Sequence, residues 1–293
     1  MSAVSESITR RTTLGDLTER YGWELVPSFA TGVTVTSLAD NLDSIVPGAL
    51  VAFGDKANAQ TLYRARCRGA YAAVVSPAVR EMLPADFDLP LLIGEMGARQ
   101  LGQLACLMAG EPSSSLAVFA VCGNQSTQVA EQLARCLHML GNPVGLLSVD
   151  GSYSLERTLN LAYPLNALDM QQCLAVCCED GAAAAVIALD GQTVALEGLQ
   201  AVSIDVLGSL QPAPPRADQA YIERLQNEYG FLFDDKMRLT ICTEESNTLA
   251  RVAAKSLDPL DERHLSLAIS MMLAAGVRRS SIRNALRVSD DLH

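Results

Sequence analysis

The chain has 293 residues and a formal net charge of −11, from 22 Lys plus Arg against 33 Asp plus Glu. Hydrophobic residues make up 49% and charged residues 19%, a globular balance that excludes a disordered chain; the length is enough for two domains, each with its own core. The acidic balance leaves no basic footprint for a phosphate backbone and disfavours an anionic lipid surface, so neither nucleic acid nor membrane is expected as a partner.

No run of about 18 uncharged apolar residues occurs, and the Ser/Thr-rich lead from Met1 to Arg11 lacks the apolar stretch of a signal peptide. The eight cysteines (67, 106, 122, 136, 173, 177, 178 and 242) lie mostly in apolar, periodic segments, as buried hydrophobes do in a reducing compartment. Cys173, Cys177 and Cys178 form no CxxC pair, and only three His are present to complete a zinc site. A cytoplasmic protein without a resident metal is expected.

In chain order, Thr13 to Arg20 predicts a short helix ending near Gly22. Val33 to Thr36 alternates like a strand, and Val46 to Phe53 reads as a turn and a strand. Thr61 to Gly69 has helical spacing, Ala70 to Val75 is an apolar run typical of a strand buried on both faces, Leu89 to Ile93 is another, and Ala98 to Met108 is a helix. These alternations predict an α/β layer domain over residues 1–110, with Gly110 to Ser115 as a linker. Residues 111–293 then begin a second α/β unit. Leu116 to Cys122 is a buried strand, Gly123 to Thr127 a polar loop, Gln128 to Leu140 a helix stopped by Gly141, and Pro143 to Val149 a strand. Ala167 to Glu179 is helical, and Ala182 to Leu189 and Val202 to Leu207 are strands. A Pro-rich break, Gln211 to Arg216, precedes helices at Asp218–Tyr229, Asp261–Ala275 and Ser280–Arg287. Right-handed crossovers would place the 123–127 loop along one edge of a parallel sheet.

The stretch Val121-Cys-Gly-Asn-Gln-Ser-Thr-Gln-Val-Ala130, its helix, and Gly141-Asn-Pro-Val-Gly-Leu-Leu147 resemble the central domain of the Mur ligases. Among them the likeness is to the member that adds the third amino acid to UDP-N-acetylmuramoyl-dipeptide. Asn41 to Leu50, with Pro47-Gly48, is similar to the family's D-S-R-x-V-x-P-G-D-L segment in the uridine-nucleotide domain. Asn166 to Gln171 resembles the substrate-contacting stretch after T-T-P, Gly181 to Asp205 the region of E-V-S-S-H, and Arg263 to Leu286 the closing helices. The resemblance implies a uridine-nucleotide-binding-like domain at 1–110 and a P-loop-type parallel-sheet central domain at 111–293. Against the family, the chain is expected to lack the C-terminal domain that helps bind ATP and the incoming amino acid, leaving an apolar face for a partner or a second copy.

Against the family loop T-G-T-N-G-K-T-T, Cys122 and Gln125 replace the two glycines and Ser126 replaces the Lys, while Asn124 and Thr127 are kept. Phosphate loops need glycine for close backbone approach, Lys to neutralise the β/γ-phosphates and Ser/Thr to hold Mg²⁺. The metal-binding Glu falls at Ala188 and the His at Gln192, with Asp190 two residues along as a substitute ligand on the same strand face. T-T-P reads Tyr163-Pro164-Leu165, D-S-R reads Asn41-Leu42-Asp43, and the carbamylated Lys falls near Tyr229.

The expectation is a non-catalytic homologue that binds or scaffolds in peptidoglycan-precursor metabolism, with an authentic Mur ligase or a second copy as partner. No residue receives a catalytic role. Gly123, Asn124, Ser126 and Thr127 form the relic nucleotide loop, which reads either as a surviving anion pocket at a helix start or as an N-capping loop closed by Ser126 or Thr127. Asp190 and Asn166 are the candidate metal or substrate contacts. Two alternatives accompany this expectation. One is an ATP- and Mg-dependent amide ligase rebuilt around Asp190, Thr127 and a domain supplied in trans. The other is a sensor that holds a UDP-muramoyl-peptide without turnover.

Overall fold

Residues 11–210, 218–253 and 259–290 are described by the structure, a computed structural model. Two compact units meet between Glu111 and Pro112. The first contains β1 (Thr12–Thr13), α1 (Leu14–Tyr21), β2 (Glu24–Val26), β3 (Thr34–Val35), β4 (Ser37–Ala39), β5 (Ala49–Val51), α2 (Ala59–Cys67), β6 (Ala70–Val75), α3 (Pro77–Glu81), β7 (Leu91–Ile93) and α4 (Ala98–Met108). Its sheet runs β2-β7-β6-β5-β4, parallel except where β2 meets β7, and β1 pairs with β3 as a separate antiparallel ribbon. Local chemistry sets the helix ends. Thr13 and Asp16 form a reciprocal capping box at the start of α1, and Gly22, at φ 70°, turns its end in the left-handed conformation. Asn58 and Thr61 do the same at the start of α2.

The second unit contains β8 (Ala117–Cys122), α5 (Ser126–Met139), β9 (Val144–Leu147), β10 (Ser152–Ser154), β11 (Arg157–Leu159), α6 (Ala167–Glu179), β12 (Ala184–Leu189), β13 (Val206–Ser209), α7 (Asp218–Tyr229), β14 (Arg238–Thr240), α8 (Glu244–Ala253), α9 (Pro259–Ala274) and α10 (Arg279–Asp290). Its sheet runs β11-β10-β9-β12-β8-β13-β14. The five strands β9, β12, β8, β13 and β14 are parallel, and the β10–β11 hairpin closes one edge antiparallel.

Both faces of this sheet are covered, which explains the unbroken apolar runs. Along β8, Val118, Ala120 and Cys122 face the layer of α6 and α7, while Phe119 and Val121 face the layer of α5 and α9. Every residue of β12 is buried. Removing a side chain such as Ile187 from water contributes about 1.5–3 kcal/mol. At the opposite end of β8 from the loop, the Asp205 carboxylate accepts the Val118 N–H at 2.7 Å, so the I-D-V segment acts as a clasp between β8 and the approach to β13.

Several elements depart from the sequence expectation. α5 begins at Ser126, so Ser126 and Thr127 belong to its first turn rather than to the loop. The strand expected from Val202 starts at Val206, because Ala201 adopts a left-handed φ of 62° and the chain is still turning there. The 110–115 linker carries a short 3-10 turn, Pro112–Ser114. Strands β2, β4, β10, β11 and β14 and helices α3 and α8 were not anticipated. The lead before Arg11, the Pro-rich break at 211–216, Asp258 and His293 lie outside the described residues.

Candidate functional site

β8 and β9 follow one another in sequence, yet β12 lies between them in the sheet. The connections leaving β8 and β12 therefore meet at the carboxyl edge of two adjacent parallel strands, the place where open α/β sheets hold ligands. The loop Gly123–Gln125 leaves β8 there, and the turn beginning at Asp190 leaves β12 beside it. Gly123 sits at φ 95° and Gln125 at φ 67°, so the loop uses two left-handed residues to enter α5. Gly adopts this conformation freely, whereas Gln there carries strain on the order of 1 kcal/mol.

The residues at the two glycine positions and at the lysine position of the phosphate-binding pattern are each bonded to a side chain from elsewhere in the unit. Ser126, 3% exposed, donates its hydroxyl to Asp190 Oδ2 at 2.7 Å. The side chain of Gln125 meets that of His264 from α9, with Oε1 and Nε2 3.1 Å apart. Cys122 Sγ lies 3.3 Å from the Tyr221 hydroxyl of α7 and 3.3 Å from the Gly208 carbonyl. Burial pushes the Cys122 thiol up from its ordinary range, and burial followed by the neighbouring thiol raises the Tyr221 hydroxyl to about 12. Both stay protonated at neutral pH, so Cys122 is not an activated nucleophile.

Asp190 is a hub rather than a strand residue. β12 ends at Leu189, which corrects the expectation that Asp190 continues the strand on the face of Ala188. Its Oδ1 accepts the Gln192 and Thr193 N–H groups, both at 2.9 Å, and Oδ2 accepts Ser126 and, at 3.4 Å, the Thr193 hydroxyl. Thr193 Oγ1 in turn accepts the Val149 N–H at 3.1 Å, tying the turn to the end of β9. Ala188 is fully buried in the layer of α5 and α9. Among the described residues, no group of three or more His, Cys, Asp and Glu side chains is placed to hold a metal ion.

The remaining candidates are placed as follows. Asn124 is exposed at the loop tip. Thr127 lines a cavity of about 260 Å³ together with Ser148, Asp150 and Ser152. Neither Ser126 nor Thr127 caps the helix: the cap position is Gln125, which makes no side-chain capping bond. Asn166 is the N-cap of α6, its Oδ1 accepting the Leu168 and Asp169 N–H groups at 2.9 and 3.0 Å, so that oxygen serves the helix. Tyr163, at the T-T-P position, donates to the Ser148 carbonyl at 2.7 Å and lies 2.5 Å from the Ser152 hydroxyl. Tyr229 is buried in the core, its hydroxyl pushed up by burial and by Glu228. In the first unit, Asp43 is paired with Arg68 at 2.8 Å, and Asn41 Oδ1 caps the turn at Asp43 and Ser44.

His264 and Tyr221 are the site residues that sequence reasoning missed. They sit 139 and 99 positions from their loop partners, and no local pattern marks them.

No protein-family model matches the sequence, and no curated protein matches it. Solved structures do. A UDP-N-acetylmuramoylalanyl-D-glutamyl-2,6-diaminopimelate–D-alanyl-D-alanyl ligase from Acinetobacter baumannii superimposes with a TM-score of 0.59 at 15% identity, over 96% of this chain and 69% of that one. The chain has the Mur ligase fold. A crystal structure of MurF from Acinetobacter baumannii gives a TM-score of 0.56 at 15% identity over 95% of this chain and 67% of that one. A UDP-N-acetylmuramoyl-L-alanyl-D-glutamate–2,6-diaminopimelate ligase gives 0.51 at 13% identity, over 80% and 53% of the two chains. The Mur ligase fold thus accounts for both α/β domains and their parallel sheets. Among the described residues, no helix is long and apolar enough to cross a membrane.

Proposed function

We propose that this chain is a non-catalytic, cytoplasmic Mur ligase homologue that acts by binding or scaffolding in peptidoglycan-precursor metabolism. One observation carries the reading: the residues standing where the family has Gly, Gly and Lys are bonded to Tyr221, His264 and Asp190 of the chain itself. Phosphoryl transfer depends almost wholly on positioning and on neutralising phosphate charge. Here the Lys position holds a neutral hydroxyl, and the group it bonds is a carboxylate. The partner proposed is an authentic Mur ligase or a second copy of this chain. Kinship to the third-amino-acid ligase is part of the same proposal and rests on the ordered segments Asn41–Leu50 and Asn166–Gln171.

Thermal melting of the full chain with Mg·ATP and, separately, with UDP-N-acetylmuramoyl-dipeptide tests this. A ligand at 100 times its Kd stabilises by about 2.7 kcal/mol, a readable shift. No shift with Mg·ATP at millimolar concentration is expected. A shift with Mg·ATP overturns the reading in favour of a rebuilt ligase, and a shift with the UDP precursor alone turns it into a sensor.

A further inference from the structure

In the first unit a cleft of about 570 Å³ opens between α1 and Leu107 near the end of α4, and nothing in the reading above uses it. Asp16, Glu19 and Arg20 stand at i, i+3 and i+4 on α1 and so share the face that lines it. Arg11 and Thr12 join them from the chain just before the helix, and the buried Leu17 and Leu107 supply apolar wall. Thr12 is 6% exposed, and its hydroxyl makes no hydrogen bond among the described residues. Most buried hydroxyls find a partner within their own chain, so a buried one that lines a cleft without a partner marks a place for a ligand atom. Arg11, Arg20 and Glu19 make no ion pair among the described residues, whereas Asp16 is already engaged, accepting the Thr13 N–H at 3.1 Å.

We propose that this cleft binds a small zwitterion of the amino-acid class, free or as a short peptide, with its carboxylate on Arg11, Arg20 and Thr12 and its ammonium on Glu19. A guanidinium presents parallel N–H donors that match a carboxylate fork to fork, and the Thr12 hydroxyl adds a donor from the wall. Glu19 supplies only acceptors, which suit the three N–H groups of an ammonium. Arg11 and Arg20 against Asp16 and Glu19 leave the lining without net charge. A phosphate or other dianion brings no ammonium and sets its charge against both carboxylates, so it fits less well than a zwitterion. The volume lies inside the span of roughly 300–1,000 Å³ found for small-molecule sites. This inference does not depend on the loop after β8 being inactive.

Titration of the full chain at neutral pH, followed by ligand-observed NMR or calorimetry, tests it, with alanine as the free probe and trialanine as the peptide probe. One or both are expected to bind, about tenfold more tightly than the C-terminal amide or the N-acetyl derivative of the same probe. Arg20→Gln, an exposed position, is expected to abolish the preference for the acid over the amide, and Glu19→Gln the preference for the free amine over the acetylated form. Thr12→Val, which removes only the unpartnered hydroxyl, should weaken binding severalfold without lowering the melting temperature. Equal binding of acid and amide, a preference that survives its own variant, or no binding of either probe at tens of millimolar overturns the proposal. Unchanged affinity in Thr12→Val would place the ligand elsewhere and likewise overturn it.

Discussion

Replacing Ser126 by Ala removes the hydroxyl that joins α5 to the turn after β12 and leaves the rest of that turn bonded. Asp190 would keep the Gln192 and Thr193 N–H groups and the Thr193 hydroxyl, so the carboxylate is not stranded. What is lost is a 2.7 Å bond from a hydroxyl buried at 3% exposure to a charged acceptor. Such bonds contribute about 1.5–3 kcal/mol. For a folding unit of this size each kcal/mol moves the melting temperature by roughly 2–4 °C, so Ser126→Ala should melt about 3–12 °C lower. Urea unfolding of the wild type, Ser126→Ala, Asp190→Asn and the double variant gives the coupling directly. A loss below about 0.5 kcal/mol for Ser126→Ala, or strictly additive single changes, would refute the argument that this pair fastens the loop.

Other expectations are open to equally direct measurement. Gln125→Gly should be more stable than Gln125→Ala by about 1 kcal/mol in chemical denaturation, because both lose the His264 contact and only Gly relieves the left-handed φ of 67°. Asn166→Ala should cost about 1 kcal/mol through loss of the α6 cap, read from the urea midpoint, and a neutral outcome would sink the capping role. Gly208→Ala should destabilise by about 1–3 kcal/mol, since a Cβ there drives into the fully buried Met271, and thermal unfolding should show it. Burial raises the Cys136 thiol from 9.0 to about 12. Its folded form stays neutral while the unfolded thiol ionises, so stability is whole below pH 9.0 and falls as pH rises toward about 12. Between about pH 8 and pH 10 this one group should account for a loss near 1.4 kcal/mol, which Cys136→Ala abolishes in urea unfolding under reducing conditions.

Much of the architecture was legible because a parallel sheet covered on both faces writes itself as continuous apolar runs. β6 coincides with the run from Ala70 to Val75, and α6 with Ala167 to Glu179. The hairpin at 152–159 escaped because Ser152-Tyr-Ser154 and Arg157-Thr-Leu159 are too short and polar to alternate visibly, and β14 escaped for the same reason. The place of the loop could be read from a strand, a Gly and a helix in succession. Its wiring could not. Tyr221 and His264 enter from α7 and α9, and a hydrogen bond across the sheet's edge leaves no periodicity in either segment. Asp190 was noticed as a carboxylate, but its commitment to Ser126 and to its own turn depends on the strand stopping one residue before it.

The three ties at the loop also bear on how freely its sequence can be changed. A glycine placed at 122 takes a thiol away from Tyr221, a glycine at 125 takes an amide away from His264, and a lysine at 126 removes the hydroxyl that donates to Asp190. A glycine at 122 or 125 thus gives up a bond within the unit, whereas a lysine at 126 exchanges its hydroxyl bond for an ion pair with the Asp190 carboxylate. The positions of the loop are therefore set jointly, by α7, by α9 and by the turn after β12, rather than one at a time.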